Sequence, residues 1–449
     1  MPATQAMPPA AASLTVPPTD SVPAPAVQEK ARLKALVREA LERNPSLQAA
    51  RLDADAARAS VNHHRAWDPP QVGVEFFETP LASFPNPIRN QRETDYFLQQ
   101  AIPFPGKRGG MAESEHWRAR SGDERARASE AELVRDVKSA WYDLCLTDAR
   151  ILSNAENREL AKRLVETARR QYEVGLGAQA DILRAQAEAT ALRNESLSLD
   201  EARLSAEAAL NVLLDRPVDG GFSATADLAP APVPWTYAQL KPLAESRHPA
   251  LKALDAERSM READLAVARR DFLPDFMIKG AYKSMGNPAA AGAHGAAADP
   301  GDSWSLMVGV DVPVAPWSAP RYRAGYRIAR INIDRSQRER RAAVARVDAD
   351  VRAALARAAT AWRQWELAVS ALVPQAEQAL QSSLGAYQTG KGGFPELLDA
   401  WRAALSARLE KHLAAARVMQ GRAELERAVG MDLDSIPAAG VVGAMGGKS

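Results

Sequence analysis

One stretch decides the fold of this chain, YQTGKGGFPELLDA at residues 387–400, and a second copy, YEVGLGAQADILRA, occupies residues 172–185. The copies lie 215 positions apart and share Tyr-x-x-Gly-x-Gly, followed by an acidic residue and two aliphatic residues. In both, a long helical pattern of polar and apolar residues leads into the tyrosine and another such pattern follows. The duplication indicates that the chain is a tandem repeat.

Each copy predicts a tight hairpin between two long helices. Glycine adopts positive φ without steric cost, which is what the end of a helix needs before the chain reverses. Asp181 and Glu396 then fall in the first turn of the following helix, where a carboxylate interacts favourably with the helix dipole. Gly-x-Gly at 175–177 and at 390–392 is therefore turn chemistry and not a nucleotide site.

Composition excludes several classes of protein. The formal net charge of the 449 residues is +1, which gives no bulk attraction to nucleic acid. Cys145 is the single cysteine, so an internal disulfide and a multi-cysteine metal site are both impossible. No run of 18 apolar residues occurs, which excludes transmembrane helices, whereas membrane-spanning β-strands are short, alternate in polarity and escape this test.

The first 30 residues are predicted to form a disordered tail. Seven prolines fall in the first 25 positions, among alanine, serine and threonine, and this composition cannot bury a core. The stretch shows no apolar segment of the kind found in signal peptides. We therefore expect either that an export signal is missing from this sequence or that the protein is not exported.

A change of period from 3.6 to 2 follows a proline in each repeat. Helical patterns stop at Pro70 and at Pro274, which are 204 positions apart, and alternating polar and apolar residues follow. Strands of about 8–10 residues have the length at which a tilted strand crosses a bilayer. The predicted strands are 71–78 and 94–102 in the first repeat and 275–283 and 303–312 in the second.

Three aromatic residues of these strands, Tyr96, Tyr282 and Trp304, are candidates for a girdle at a membrane interface. One face of a soluble sheet is an equally good interpretation of the same residues.

The helices that follow the strands are unusually long. Residues 123–174 and 178–216 contain neither glycine nor proline, and at ~1.5 Å per residue they extend over roughly 75 and 55 Å. Apolar residues between 182 and 213 keep a spacing of three or four, as in a coiled coil. The second repeat predicts equivalent helices from 326 to 383, kinked at Pro374, and from 396 to 429.

The chain is therefore divided into two repeats flanked by tails and joined by a Pro-rich linker. Each repeat is expected to contain a helix, two strands and a long helical hairpin, with hairpin tips at about 172–181 and 387–396. The predicted segments are 1–30 (disordered N-terminal tail), 31–215 (first repeat), 216–246 (linker or equatorial segment), 247–432 (second repeat) and 433–449 (C-terminal tail).

Such a chain cannot bury its apolar surface alone. Four strands do not close a barrel, and a single sheet beside helices of this length leaves apolar seams exposed. Assembly into a ring removes strand edges and buries the second helix faces. Three copies supply twelve strands, enough for closure. The predicted fold class is mainly α, with long helical hairpins and a small membrane β-barrel.

In the order of these features the chain resembles the TolC family of outer-membrane efflux factors, over about residues 31–433. The matching features are the duplicated hairpin, the Asn-Pro-x-Leu helix start at 44–47, Pro70, and the segment QAIPFPGKR at 100–108. The Pro-Gly-Lys-Arg step is most similar to the heavy-metal cation efflux branch, the CzcC and CusC type.

The resemblance implies a homotrimer with a short barrel in the lipid bilayer of the bacterial outer membrane and a helical tunnel across the periplasm. It also implies two protein partners, a periplasmic membrane-fusion adaptor and an inner-membrane pump of RND or ABC type. No cofactor, metal site or catalytic residue is implied. The implied function is passive conduction of metal cations or drugs to the exterior.

The resemblance also assigns roles at the two tips. Glu396 and Asp399 resemble two acidic residues that ring the pore entrance, and Tyr387 resembles a tyrosine that holds it shut. Lys391 and Gly392 complete this gate segment, with Gly392 where some members carry a gate-bonding arginine. The equivalent residues of the first tip are expected to contact the adaptor, and they are Tyr172, Gly175, Gly177 and Asp181.

Other interpretations remain open from the residues alone. Glu396 and Asp399 also suit a helix N-terminus with no further role. His63 and His64 are adjacent on a helical pattern and point apart, which favours a solvated pair over metal ligands. The same architecture would also serve the exit duct of a type I protein secretion system. In a different class, a soluble helical scaffold that binds partners is the alternative.

Overall fold

The computed structural model describes residues 25–77, 81, 84–86, 93–222, 228–285, 301–313 and 315–436. These residues are mostly helical, with one antiparallel sheet. The helices are α1 (Pro25–Arg43), α2 (Pro45–Arg65), α3 (Lys107–Glu173), α4 (Gln179–Leu213), α5 (Tyr237–Arg247), α6 (Pro249–Arg270), α7 (Ala319–Leu367), α8 (Val373–Gln388) and α9 (Phe394–Val429). The strands are β1 (Gln71–Phe77), β2 (Glu93–Ile102), β3 (Phe276–Met285) and β4 (Ser303–Val310).

The sequence interpretation placed both tails and the linker too broadly. Helix α1 begins at Pro25, inside the predicted tail 1–30, since proline is compatible with the first turn of a helix. Helix α5 occupies the end of the predicted linker 216–246, and its Leu240 and Ala244, one turn apart, are buried. Leu433 is also buried, in a 3₁₀ turn at the start of the predicted C-terminal tail. Residues 1–24 and 437–449 lie outside the described part of the chain.

Helices α3, α7 and α9 begin earlier than the sequence patterns suggested, whereas α4 begins one residue later. Helix α3 contains 67 residues, about 100 Å at ~1.5 Å per residue, and it includes three glycines. A Cβ at Gly122 would lie 3.2 Å from the Cα of Ala54 on α2, so this glycine allows the two helices to approach closely. In the second repeat, one π-helical turn at Ala368–Leu372 separates α7 from α8. This turn ends two residues before Pro374, where the sequence predicted a kink.

Helix α3 is the central helix and packs against several others. It packs against α2 and α6 towards the sheet and against α4 and α9 towards the hairpin tips. Helix α4 ends where α2 begins, and the side-chain amide of Asn44 donates to the carbonyl of Leu213 at 3.0 Å. Helix α9 ends in the same way at the start of α6. There, Gly430 has φ of +79°, and a Cβ on it would lie 2.9 Å from the Cα of His248. None of the described helices combines the length and the apolar character that a membrane span requires.

The sheet has the order β1-β2-β3-β4, all antiparallel, and β2 pairs with β3 across the two repeats. Its two faces differ in chemistry. One face carries ion pairs between Lys279 and Glu75, at 3.6 Å, and between Lys283 and Glu93. The other face is apolar and exposed, and its side chains are Val72, Val74, Tyr96, Leu98, Ile278, Tyr282, Trp304, Leu306, Val308 and Val310.

The register brings the three candidate girdle residues together. Tyr96 is the pairing partner of Tyr282, and Tyr282 is the partner of Trp304. The three rings therefore form one row across the strands, on the apolar face. The row lies at the end of the sheet that is remote from the helices, since β2 and β4 both lead into helices at their other end.

We expect the stability of the protein to depend on the protonation of His248. The Nδ1 atom of His248 accepts the Ala250 backbone N–H at 3.2 Å and caps α6, the role that Asn44 has for α2. Burial, helped by Arg427 and opposed by Asp350, lowers the pKa of His248. Below about pH 6.5 the unfolded chain therefore binds a proton that the folded chain resists. Stability is complete above that pH and declines as the pH falls towards the folded pKa, with loss of a cap worth about 1 kcal/mol.

Thermal unfolding of the wild type and of His248→Asn between pH 8 and pH 5 tests this prediction. Asparagine provides an equivalent cap that does not titrate in this range. The melting temperature of the wild type should fall more steeply with decreasing pH than that of the variant. If the melting temperatures of the wild type and the variant change in parallel with pH, protonation of His248 does not contribute to the pH dependence of stability.

Candidate functional site: the paired hairpin tips

The tip of the first hairpin is closed by backbone hydrogen bonds at the end of α3. The N–H groups of Leu176 and Gly177 both donate to the carbonyl of Gln171, at 2.8 and 2.9 Å. Gly175 has φ of +77°, the left-handed conformation predicted from the sequence. The carboxylate of Asp181 accepts the Ala178 N–H at 3.3 Å, which caps α4.

The tip of the second hairpin repeats this geometry. The N–H groups of Lys391 and Gly392 donate to the carbonyl of Ala386, at 2.9 and 3.1 Å. Gly390 has φ of +68°. A Cβ at Gly392 would lie 3.0 Å from the Cβ of Ala386, so this position favours glycine for space. The close approach of the Ala386 side chain therefore disfavours an arginine at residue 392.

The two tips lie side by side. The side-chain amide of Gln171 donates to the carbonyl of Gln388 at 3.0 Å, and Arg402 on α9 forms an ion pair with Glu188 on α4. A shared apolar core lies above both tips, and its most buried large side chains are Leu164, Leu192, Leu380, Tyr387, Phe394, Leu397 and Trp401. The tips therefore form one packed unit and not two independent loops.

The two tyrosines of the repeated motif differ in environment. Tyr172 is 48% exposed, whereas Tyr387 is 4% exposed. The Tyr387 ring packs edge-to-face on Phe394, with 5.5 Å between ring centroids. Its hydroxyl is buried and has no hydrogen-bond partner within the described residues, and burial raises the pKa of Tyr387. The geometry makes Tyr387 part of the hairpin core, and a contact of its hydroxyl with another copy stays a prediction.

Glu396 and Asp399 lie on the exposed side of the first two turns of α9. The side chain of Asp399 is 78% exposed, and the guanidinium of Arg402 lies 3.9 Å from its carboxylate. Glu396 forms no ion pair within the described part of the chain, and its carboxylate folds back over Gly393. Lys391 is also exposed. The second tip therefore presents two solvated carboxylates and one ammonium group. Among the described residues, none of them is paired with a histidine or a second carboxylate for general acid–base catalysis.

The first tip presents apolar groups instead. Val174 and Leu176 are 68% and 65% exposed and lie beside the half-exposed Tyr172. The equivalent positions of the second tip are Thr389 and Lys391. The two tips therefore share a backbone geometry and differ in surface chemistry.

The sequence interpretation missed three residues that hold the tips together. Trp401 is buried in the shared core, and its seven-residue spacing from Phe394 was a usable signal. The ion pair between Arg402 and Glu188 had no such signal, because it joins residues 214 positions apart on different hairpins. Over the whole described part of the chain, no three His, Cys, Asp or Glu side chains are grouped as metal ligands.

Comparison with known proteins gives consistent results. The family profile described as outer membrane efflux protein matches residues 36–216 and 240–431. Protein CyaE of Bordetella pertussis is 28% identical over 312 residues, which covers 67% of this chain and 63% of CyaE. Outer membrane protein OprJ of Pseudomonas aeruginosa is 26% identical over 395 residues, covering 83% of this chain and 78% of OprJ.

A crystal structure of CusC superimposes with a TM-score of 0.73 over 89% of this chain and 92% of that chain. The sequence identity is 19%, so this is a likeness of fold.

Proposed function

Because this chain belongs to the outer membrane efflux protein family, we propose that it is the outer-membrane exit duct of a tripartite efflux system. In this proposal a homotrimer conducts substrates passively, and metal cations and drugs are the candidate substrates. An inner-membrane pump of RND or ABC type and a periplasmic adaptor deliver them. The long helices cross the periplasm, and the protein catalyses no reaction.

The two-faced sheet is the observation that carries this proposal. Its apolar face exposes ten large side chains to solvent in the single chain, far more than scattered surface residues account for. Its other face is charged. Strands of 7–10 residues, with a row of tyrosine and tryptophan rings near one end, suit a bilayer. The unpaired edges of β1 and β4 would close on other copies into a twelve-stranded barrel with a charged lumen.

Helix α4 supports ring closure independently, because it carries two apolar seams on opposite sides. The buried seam, which faces the hairpin core, consists of Ala185, Leu192 and Leu199. The exposed seam consists of Leu183, Leu197 and Leu204. At about 100° per residue the two seams point about 200° apart. A helix with two such seams requires a second neighbour, which another copy of the chain would supply.

Expression of the full chain fused to an outer-membrane export signal, in a strain that lacks its own duct, tests the function. We expect a trimer in the outer-membrane fraction and restored resistance to an efflux substrate when the matching pump and adaptor are present. A monodisperse monomer in the soluble fraction would instead support the scaffold interpretation.

We expect the double variant Glu396→Gln/Asp399→Asn to lower the cation selectivity of the channel several-fold. Three copies would place six carboxylates at the narrow entrance, and their field favours cations. The measurement is the reversal potential in planar bilayers under a salt gradient. Glu173→Gln, which removes an exposed carboxylate from the neighbouring tip, is the matched control. Equal reversal potentials for the wild type and the double variant would show that these two residues do not determine the cation selectivity of the entrance.

We expect Val174→Asp/Leu176→Asp to weaken adaptor binding at least tenfold. Burial of an aliphatic side chain contributes roughly 1.5–3 kcal/mol, and a charge at the same position has to be desolvated. Surface plasmon resonance with the purified adaptor measures the effect, and Thr389→Asp on the second tip is the control. Unchanged binding by the double variant would place the adaptor contact elsewhere.

A further inference from the structure

A cavity of about 600 Å³ lies between α1, α3 and α9, far from the tips and from the sheet. Leu33, Val37, Trp141, Leu228 and Met419 give it an apolar lining, and the turn after α9 closes one end. Small-molecule sites are mostly apolar clefts of roughly 300–1,000 Å³ with a few placed polar groups. The cavity has this size and this lining.

Within the described part of the chain, most charged side chains of the cavity are already paired, and one basic side chain at its rim is not. Six basic and four acidic side chains line it. Two of the carboxylates are already paired, Glu426 with Lys138 and Asp434 with Lys30, and Arg422 contacts both. Lys34, which is exposed at the rim, forms no ion pair within the described residues. Arg135 is held by Asp136 and Glu424, and Arg427 by Glu424 and Asp350, all outside the lining. Among the described residues, Lys34 is therefore the basic group of the lining that is available to attract an anion at the opening.

The lining also holds hydrogen-bond donors without acceptors. Trp141 is 2% exposed, and its indole N–H has no partner within the described residues. The Nε–H of Arg135 is likewise buried without a partner. A buried donor that lacks an acceptor destabilises the folded protein, because the donor has lost its bonds to water. A bound group with acceptor oxygens would satisfy both donors, whereas an alkyl chain or a cation would not.

We propose that this cavity binds an amphipathic anion, a single alkyl chain that ends in a carboxylate. The chain occupies the apolar lining, and the carboxylate accepts from Trp141 and Arg135, with Lys34 adding attraction at the rim. The site is independent of conduction through the proposed duct, because none of these residues belongs to the hairpin tips or to the sheet.

Fluorescence titration with 11-(dansylamino)undecanoate tests this site on the full chain in phosphatidylcholine nanodiscs, with empty nanodiscs subtracted. We expect saturable binding of one probe per chain and displacement by laurate. Dodecyltrimethylammonium, which has the same chain length and a cationic head, should not displace the probe. Non-saturable uptake, or displacement by both competitors, would overturn the proposal.

Two variants test whether the probe binds in this cavity. Trp141→Phe keeps the ring and removes the donor, and we expect about tenfold weaker binding. Trp401→Phe is the matched control, since Trp401 is also buried, its indole N–H has no partner in the described part of the chain, and it lies in the hairpin core. Lys34→Glu changes an exposed residue, so folding is not at risk, and binding should weaken about threefold. Wild-type affinity in Trp141→Phe or in Lys34→Glu would contradict the assignment.

Discussion

Asp275→Asn is expected to destabilise the protein by about 3 kcal/mol, because it removes the carboxylate that pairs with the buried ammonium of Lys107. Lys107 is 5% exposed, and its ammonium lies 2.9 Å from each carboxylate oxygen of Asp275. The ammonium also donates to the carbonyl of Leu273 at 3.1 Å. Asparagine keeps the size of the side chain and removes its charge, which leaves the buried ammonium uncompensated.

This pair joins the two repeats where helices meet the sheet. Lys107 begins α3 of the first repeat, and Asp275 immediately precedes β3 of the second. The same carboxylate accepts the Phe104 N–H at 2.7 Å, and the Asp275 carbonyl accepts the Asp311 N–H at 2.9 Å. The loss should therefore appear in the unfolding of the whole chain and not in one local segment.

Thermal unfolding followed by circular dichroism measures the effect. Asp271→Asn is the matched control, because its carboxylate is exposed to a similar degree, 42% against 39% for Asp275, but lies 4.0 Å from the same ammonium. The Asp271→Asn substitution should lower the free energy of unfolding by less than about 1 kcal/mol. Lys107→Met in the Asp275→Asn background should recover part of the loss, since no unpaired charge then remains buried. A control as destabilised as Asp275→Asn would show that the Asp275 pair has no special role.

Local features of this fold were predictable, whereas contacts between repeats were not. The glycines of the hairpins and the alternation in the strands depend on neighbours in sequence, so the hairpin turns and the four strands could be inferred. Lys107 was noticed as part of a motif, but its partner lies 168 positions away. That pairing depends on how two repeats pack, which no local pattern encodes. Helix α3 started early for a related reason, since close helix packing at Gly122 outweighs the low helix propensity of glycine.

The candidate site shows the same division most clearly in its two tyrosines. The motif Tyr-x-x-Gly-x-Gly predicts the same turn twice, and the structure has it twice. Burial of Tyr387 depends on Phe394, which packs edge-to-face with it in the same hairpin, and on the core shared with the first hairpin. Residue 179, the equivalent of Phe394 in the first repeat, is glutamine. The sequence therefore contained the difference, but only the packing shows its consequence.

Tyr387→Ala is expected to destabilise the protein by about 3–4 kcal/mol, whereas Tyr172→Ala should change stability by less than about 1 kcal/mol. Removal of the 4% exposed Tyr387 ring leaves a cavity against Phe394 and Leu397, while the 48% exposed ring of Tyr172 is replaced by water. Because the two tyrosines are repeat equivalents with the same turn, the difference isolates the contribution of burial. Thermal unfolding of both variants measures it, and equal losses would contradict the assigned core role.

Tyr387→Phe then separates the core role from the gate role. Among the described residues of the single chain the buried hydroxyl has no hydrogen-bond partner, so its removal should leave stability unchanged within about 0.5 kcal/mol. If the hydroxyl bonds another copy in the assembled duct, the same variant loses that bond and the closed entrance loosens. Channel conductance in planar bilayers should then rise in Tyr387→Phe while the melting temperature does not change. Wild-type conductance would leave Tyr387 as a core residue only, and the restraint on the entrance would have to come from other groups of the second tip.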